Sequence, residues 1–187
     1  MLDRPLLTTL HDVYSSVVSG YHLDLGKPNL HMAVAALKHA ILRKNYPLED
    51  SLFEDWAIYG VPKTLVVDAS TLWTSSNFAP LHHLLEKLGI TLVQRTAPSE
   101  GGNIERFVES FSSKTKSSPL KSTELLAAVD ESPRLTLAQL NRLLVQYIVN
   151  EYNQSLHPRA RTQTRSERWQ SGLTSSPQVL SEQNFEV

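Results

Sequence analysis

Two carboxylates stand where a fold could turn them to chemistry. Asp68 closes the short apolar run Leu65-Val66-Val67 and is followed by the turn-prone pair Ala69-Ser70. A β-branched run bounded by polar residues reads as a buried strand, Lys63 to Ser70, with Asp68 at its C-terminal end. Open α/β sheets place their ligands at that end. Glu105 follows Gly101-Gly102-Asn103, which puts Asn103 at an N-cap and Glu105 in the first turn of a helix. A strand-end aspartate and a first-turn glutamate suit a divalent cation, because hard cations take oxygen ligands. The other chemically pointed residues are basic. Arg159, Arg161, Arg165 and Arg168 lie close together against the single acid Glu167. They read equally as a phosphate-facing segment and as a polar link.

Other groups invite chemistry and read more plainly as structure. Asp12 lies beside the turn-forming Tyr14-Ser15-Ser16 and reads as its cap. His82 and His83 are adjacent, so on a helix they point about 100° apart, which gives one surface and one half-buried ring rather than a metal pair. Glu49, Asp50, Glu54 and Asp55 read as a solvated helical turn that presents Leu52 and Phe53 inward.

The elements that must position the two acids follow from periodicity. Leu6–Val13 and Val17–Leu25 read as antiparallel strands joined by a tight turn. Pro28-Asn29 opens a helix carrying Leu30, Val34, Leu37 and Ile41, expected to stop before Pro47. After the Asp68 strand, Ser75 or Ser76 caps a helix with Phe78, Leu81, Leu84, Leu85 and Leu88 inward, closed by Gly89. Ile90–Gln94 is then a strand parallel to the Asp68 strand. The Glu105 helix is expected to turn Ile104, Phe107, Val108 and Phe111 inward. The Ser/Lys-rich link 112–122 leads to a short helical piece around Glu124–Val129, and Leu137–Tyr152 forms a second long helix. The expected fold class is α/β. The organisation is a core over residues 1–118, a helical part with a basic link over 119–173, and a disordered tail over 174–187.

Composition bounds the rest. The chain of 187 residues has no cysteine, which excludes disulfides, thiolate catalysis and cysteine-bearing zinc sites. No apolar run reaches the roughly 18 residues a membrane span needs. The N-terminus lacks the apolar core of a signal peptide. The expectation is a soluble cytoplasmic protein. A formal net charge of −1 gives no global basic footprint for nucleic acid, so any such contact rests on how charge is distributed.

Several strings in order resemble one family. Trp56, Tyr59-Gly60, Pro62 and the apolar run into Asp68 come first, then Asn103-Ile104-Glu105-Arg106-Phe107. Tyr152-Asn153, His157 and Glu167-Arg168-Trp169 follow. Together with Arg4-Pro5 to Asp12, Tyr14-Ser15 and Gly20-Tyr21, they resemble the retroviral-integrase-like transposase core, nearest to the bacterial Mu- and Tn7-type DDE transposases, over about residues 4–173. The resemblance implies a ribonuclease-H-like mixed sheet flanked by helices. It implies metal-dependent DNA cleavage and strand transfer, with Mg²⁺ or Mn²⁺ held by three carboxylates. Asp68 would be the second of these and Glu105 the third, and the 36 residues between them match the family's spacing. The resemblance places the first carboxylate on a strand upstream of Leu6, and the expectation is that this first strand is missing here. Asp12 matches a non-catalytic position. Two carboxylates hold a metal pair weakly, so impaired activity is expected. Arg106 and the four C-terminal arginines would contact DNA, with a homo-oligomer or other transposition proteins as partners and no membrane. Two other functions stay open: a non-catalytic DNA-binding or assembly subunit, and a ribonuclease-H-like nuclease.

Overall fold

The structure, a computed structural model, describes residues 5–46, 52–67, 78–95, 102–117 and 136–185. The chain opens with β1 (Pro5–His11) and β2 (Val18–Leu25), antiparallel, with a register shift between Leu10 and His11. Asp12 ties their connection as its sequence suggests: its Oδ2 accepts from the Ser15 N–H at 2.7 Å and from Ser15 Oγ. Helix α1 (Leu30–Ile41) starts at Asn29, whose side chain accepts from Met32 N at 3.0 Å. Its buried side carries Met32, Ala33, Ala36, Leu37, Ala40 and Ile41. The alanines let α1 lie close on β2, and Gly20 completes the fit, since a Cβ there would stand 2.5 Å from Ala40 N. The helix ends at Ile41, well before Pro47. Lys44 then folds back to donate to the carbonyls of Ala40 and Ile58.

A second unit follows. Strand β3 (Thr64–Val67) pairs in parallel with β4 (Thr91–Gln94), and α2 (Ala79–Lys87) connects them. Leu81, Leu84 and Leu85 are buried, and Gly89 closes the helix at φ +68°. Phe78 occupies the cap position without a side-chain cap bond, while Ser75 and Ser76 lie outside the described residues. Leu65 of β3, Leu92 of β4 and Leu10 of β1 all rest against the same apolar layer of α1 and α2. The domain is therefore mixed α/β. Its described strands form two separate two-stranded sheets, where the sequence led us to expect one continuous mixed sheet.

Helix α3 (Asn103–Ser117) buries Phe107 in a second core cluster with β2, Trp56 and Ile58. It corrects three expectations. Arg106 N donates to Gly102 O, so Gly102 rather than Asn103 stands at the cap position. Ile104 and Val108 are exposed, leaving Phe107 and the half-buried Phe111 as the inward groups. The helix also runs on to Ser117, through half of the expected link; the piece at Glu124–Val129 lies outside the described residues. Phe53 is likewise 86% exposed, and only Leu52 of its pair reaches the core.

Helix α4 (Leu137–Gln146) begins with a Thr136/Gln139 capping box and continues as a π-helical turn, Tyr147–Tyr152. Asn153 follows, buried, and its amide pairs with one residue of β2. Val18 N donates to Asn153 Oδ1 at 2.9 Å, and Asn153 Nδ2 donates to Val18 O at 3.1 Å. The tail expected to be disordered is instead placed as far as Phe185. A 3-10 turn (Glu182–Phe185) buries Phe185 against the α1/α2 layer, and Leu180 packs beside it. Two apolar anchors in a polar segment account for the difference.

Leu84 is fully buried, so Leu84→Ala is expected to cost roughly 2–5 kcal/mol in urea unfolding. Asn153→Ala should cost about 1–3 kcal/mol for each Val18 group it leaves unpartnered. Near-zero destabilisation at both positions would overturn this packing.

Candidate functional site

A groove of about 1090 Å³ runs between β1 and β3 and reaches the first turn of α3. Glu105 lines it, exposed, beside Arg106. Val67, the last residue of β3, also lines it; the adjoining Asp68 lies outside the described residues. Permanent charge in the groove is mostly positive. Lys63, Arg95, Arg106, Arg159 and Arg168 face it, against Asp12 and Glu105. Asp12 spends one carboxylate oxygen on Ser15, so Glu105 is the carboxylate with no hydrogen bond or ion pair among the described residues.

The C-terminal segment builds one end of the groove. Helix α5 (Arg165–Gly172) starts from a Thr164/Glu167 capping box. Arg168 lies over the Tyr14 ring, 3.9 Å from its centroid, and its Nε donates to Tyr14 O at 2.9 Å. Gly172 allows this approach, because a Cβ there would meet the Tyr14 ring at 2.8 Å. Arg165 turns inward. Its guanidinium sits 4.2 Å from the Tyr152 centroid and donates to Ser155 Oγ and to the carbonyls of Tyr152 and Leu156. Arg159 faces the groove, whereas Arg161 is exposed and stands off its lining. Of the five arginines singled out from sequence, three line the groove: Arg106, Arg159 and Arg168.

Two histidines at the groove are neutral and structural. His157 Nδ1 accepts from Arg159 N at 3.2 Å and Ala160 N at 2.9 Å, which assigns the proton to Nε2. Nε2 therefore donates toward Ser16 Oγ at 3.4 Å, so the ring cannot serve Ser16 as a base. Burial, then the guanidiniums of Arg168, Arg165 and Arg159, holds its pKa below the ordinary range. His11 packs edge-on to Phe107 and Tyr152, and burial followed by Arg165 lowers its pKa to about 4. Away from the groove, His39 accepts from Tyr21 N at 3.1 Å through Nδ1 and meets Tyr46 Oη at 2.7 Å through Nε2. Burial, then Lys44 and His22, lowers its pKa to about 3.

Sequence reading missed Lys63 and Arg95. The register of the parallel pair could have found Arg95. Val67 pairs with Gln94, and Arg95 N donates to Val67 O at 2.8 Å, so Arg95 follows β4 at the end where Asp68 follows β3. Among the described residues no three His, Asp or Glu side chains gather as a metal cluster. One free carboxylate does not satisfy a hard dication, so the described residues alone do not fit a metal pair. No helix among the described residues is long and apolar enough to cross a membrane.

Comparison with known proteins bears on this groove. The family model described as the TnsB C-terminal domain matches residues 1–119, more than half of the chain. The transposase for transposon Tn552 of Staphylococcus aureus is 27% identical over 113 residues, covering 58% of this chain and 21% of that protein. The chain thus spans about a fifth of the length of the curated relative it matches.

His11 and His39 stay neutral in the folded state and titrate near 6.5 when unfolded. Their contribution is complete above pH 6.5 and is lost as pH falls toward about 4 and about 3. The thermal midpoint should therefore fall between pH 6.5 and pH 4, and less steeply in His11→Leu. An unchanged steepness in His11→Leu would contradict the buried, neutral assignment.

Proposed function

The chain belongs to the TnsB C-terminal domain family, and on that premise we propose that it acts in DNA transposition with the β1/β3 groove as its DNA-facing site. The observation that carries this is the charge of the groove, five permanent cations against two carboxylates in a chain whose net charge is −1. Phosphate contacts supply most of the sequence-independent affinity for DNA. Lys63, Arg95, Arg106 and Arg159 have no ion pair among the described residues and are free to make such contacts. Arg168 is pre-positioned on Tyr14 and adds a fixed charge at the groove's end. Arg161 and Arg165 extend the basic segment beside it.

The finer reading is a DDE-type polynucleotidyl transferase on a ribonuclease-H-like core, with Asp68 and Glu105 as catalytic carboxylates. In that reaction a water or a 3′-hydroxyl attacks phosphorus, and the bond from phosphorus to the leaving oxygen breaks. A Mg²⁺ or Mn²⁺ pair, when bound, would activate the attacking oxygen and neutralise developing charge. Asp68 and Glu105 would be two of its oxygen donors. A homo-oligomer or other transposition proteins would complete the assembly. The second reading is a non-catalytic DNA-binding or assembly subunit, favoured by the single free carboxylate among the described groove residues.

Anisotropy with duplex DNA across a salt series tests the binding. Arg106→Ala and Arg159→Ala should each weaken affinity and reduce the log–log salt slope by about 1, while Glu105→Gln leaves DNA binding intact. Unaltered affinity in both arginine variants would sink the groove assignment. Mn²⁺-dependent nicking of supercoiled DNA, lost in Asp68→Asn and Glu105→Gln, would select the enzyme. Binding without nicking at any metal concentration would select the subunit.

A further inference from the structure

One aromatic ring of the groove is firmly held and yet left half exposed. Tyr14 lines the groove from the connection between β1 and β2, and 50% of its surface is exposed. That connection is tied at several points. The Asp12 carboxylate holds Ser15, Ser16 N donates to Asp12 O at 2.8 Å, and Asp12 N donates to Val17 O at 3.0 Å. Ser16 is buried in the left-handed conformation at φ +61°, which a serine keeps only where its surroundings impose it. Tyr14 O accepts from Arg168 Nε at 2.9 Å, so α5 fixes the tyrosine's own main chain as well.

The ring has one covered side. The Arg168 guanidinium lies 3.9 Å from its centroid. Gly172, one turn further along α5, is close enough that a Cβ there would meet the ring at 2.8 Å. Both residues approach from the same helix, so α5 backs the ring and the opposite face is the exposed one. Among the described residues no other aromatic or cationic group packs on this ring, and its hydroxyl makes no hydrogen bond. A flat apolar face already ordered before binding loses little freedom when a second ring lies on it. Val13, 68% exposed, and Arg159 line the groove with it.

Bases inside a duplex are stacked on their neighbours, so only an unpaired base can lie on such a ring. We propose that Tyr14 is the stacking platform for one unpaired nucleobase of the DNA in the groove, with the groove arginines on the flanking phosphates. This platform rests on the DNA-facing reading given above and narrows its substrate to duplex DNA adjoining a single-stranded segment. Stacking uses a π-face that every base has, so the subsite tolerates any base.

The test compares two duplexes that carry the same short single-stranded extension, one with bases and one built from abasic nucleotides. Their phosphates are equal, so the affinity ratio reports stacking alone. The unaltered chain should bind the base-bearing DNA about tenfold more tightly, and 2-aminopurine placed in the extension should dim on binding. Tyr14→Ala should bring the two affinities together and abolish the dimming, whereas Tyr14→Phe keeps both effects. If Tyr14→Ala fails to fold, Tyr14→Leu, which keeps an apolar group against Arg168 without the π-face, decides in its place. Equal affinity of the unaltered chain for the two DNAs would overturn the platform and leave the groove reading standing. A preference that persists without the Tyr14 ring would overturn it too, because the base would then stack elsewhere. Binding of neither DNA would overturn the platform together with the groove reading.

Discussion

The pairing of Asn153 with Val18 is the constraint on which the rest of the site depends. A single amide side chain satisfies both main-chain groups of one residue on β2, in a position closed to water. A buried main-chain group without a partner is costly, so this contact fixes the C-terminal half of the domain against the first sheet. Ser166 N donates back to Asn153 O at 2.9 Å, which sets the start of α5 from the same residue. Once α5 is placed, Arg168 reaches Tyr14, Arg165 reaches Tyr152, and the His157 loop carries Arg159 to the groove. The basic end of the groove is thus a consequence of one amide.

That arrangement separates two uses of charge. Arg165 is held by four oxygens and an aromatic ring, so its charge orders the loop after Asn153. Among the described residues Arg106 and Arg159 have no such side-chain partners, and both line the groove. Lys44 shows the opposite limit, a cation drawn inward over Trp56 and onto main-chain carbonyls, with its pKa lowered to about 7 by burial. The two separated sheets give the groove its width, and the shared α1/α2 layer gives it an apolar floor.

Much of this was legible in the sequence wherever the signal was local. The α1 start at Asn29, the Asp12 turn, the Gly89 stop and the parallel pairing of β3 with β4 all follow from short-range chemistry. The string Tyr152-Asn153, His157 and Glu167-Arg168-Trp169 was readable as a pattern, but its roles were not. In the structure Tyr152 is a core ring, Asn153 the clasp, His157 a loop tie and Glu167 a cap. Long-range facts were the ones missed. Ile104 and Val108 fit a helical period yet face out, since nothing in the period says that only Phe107 and Phe111 of this face meet the core. Phe53 was read the wrong way round and Phe185 was not singled out, for the same reason: burial of a lone aromatic depends on what packs over it. Lys63 and Arg95 join the groove only once the register of two strands is known.

The claim that the β1/β3 groove is the DNA-facing surface can be measured through the absence of native cysteine. Ile104→Cys lines the groove and Glu86→Cys lies on the exposed side of α2, so each can carry a single photoactivatable crosslinker. With duplex DNA at low salt, the account predicts covalent DNA adducts from the Ile104→Cys protein and almost none from Glu86→Cys. Equal yields from both positions, or adducts from position 86 alone, would contradict it.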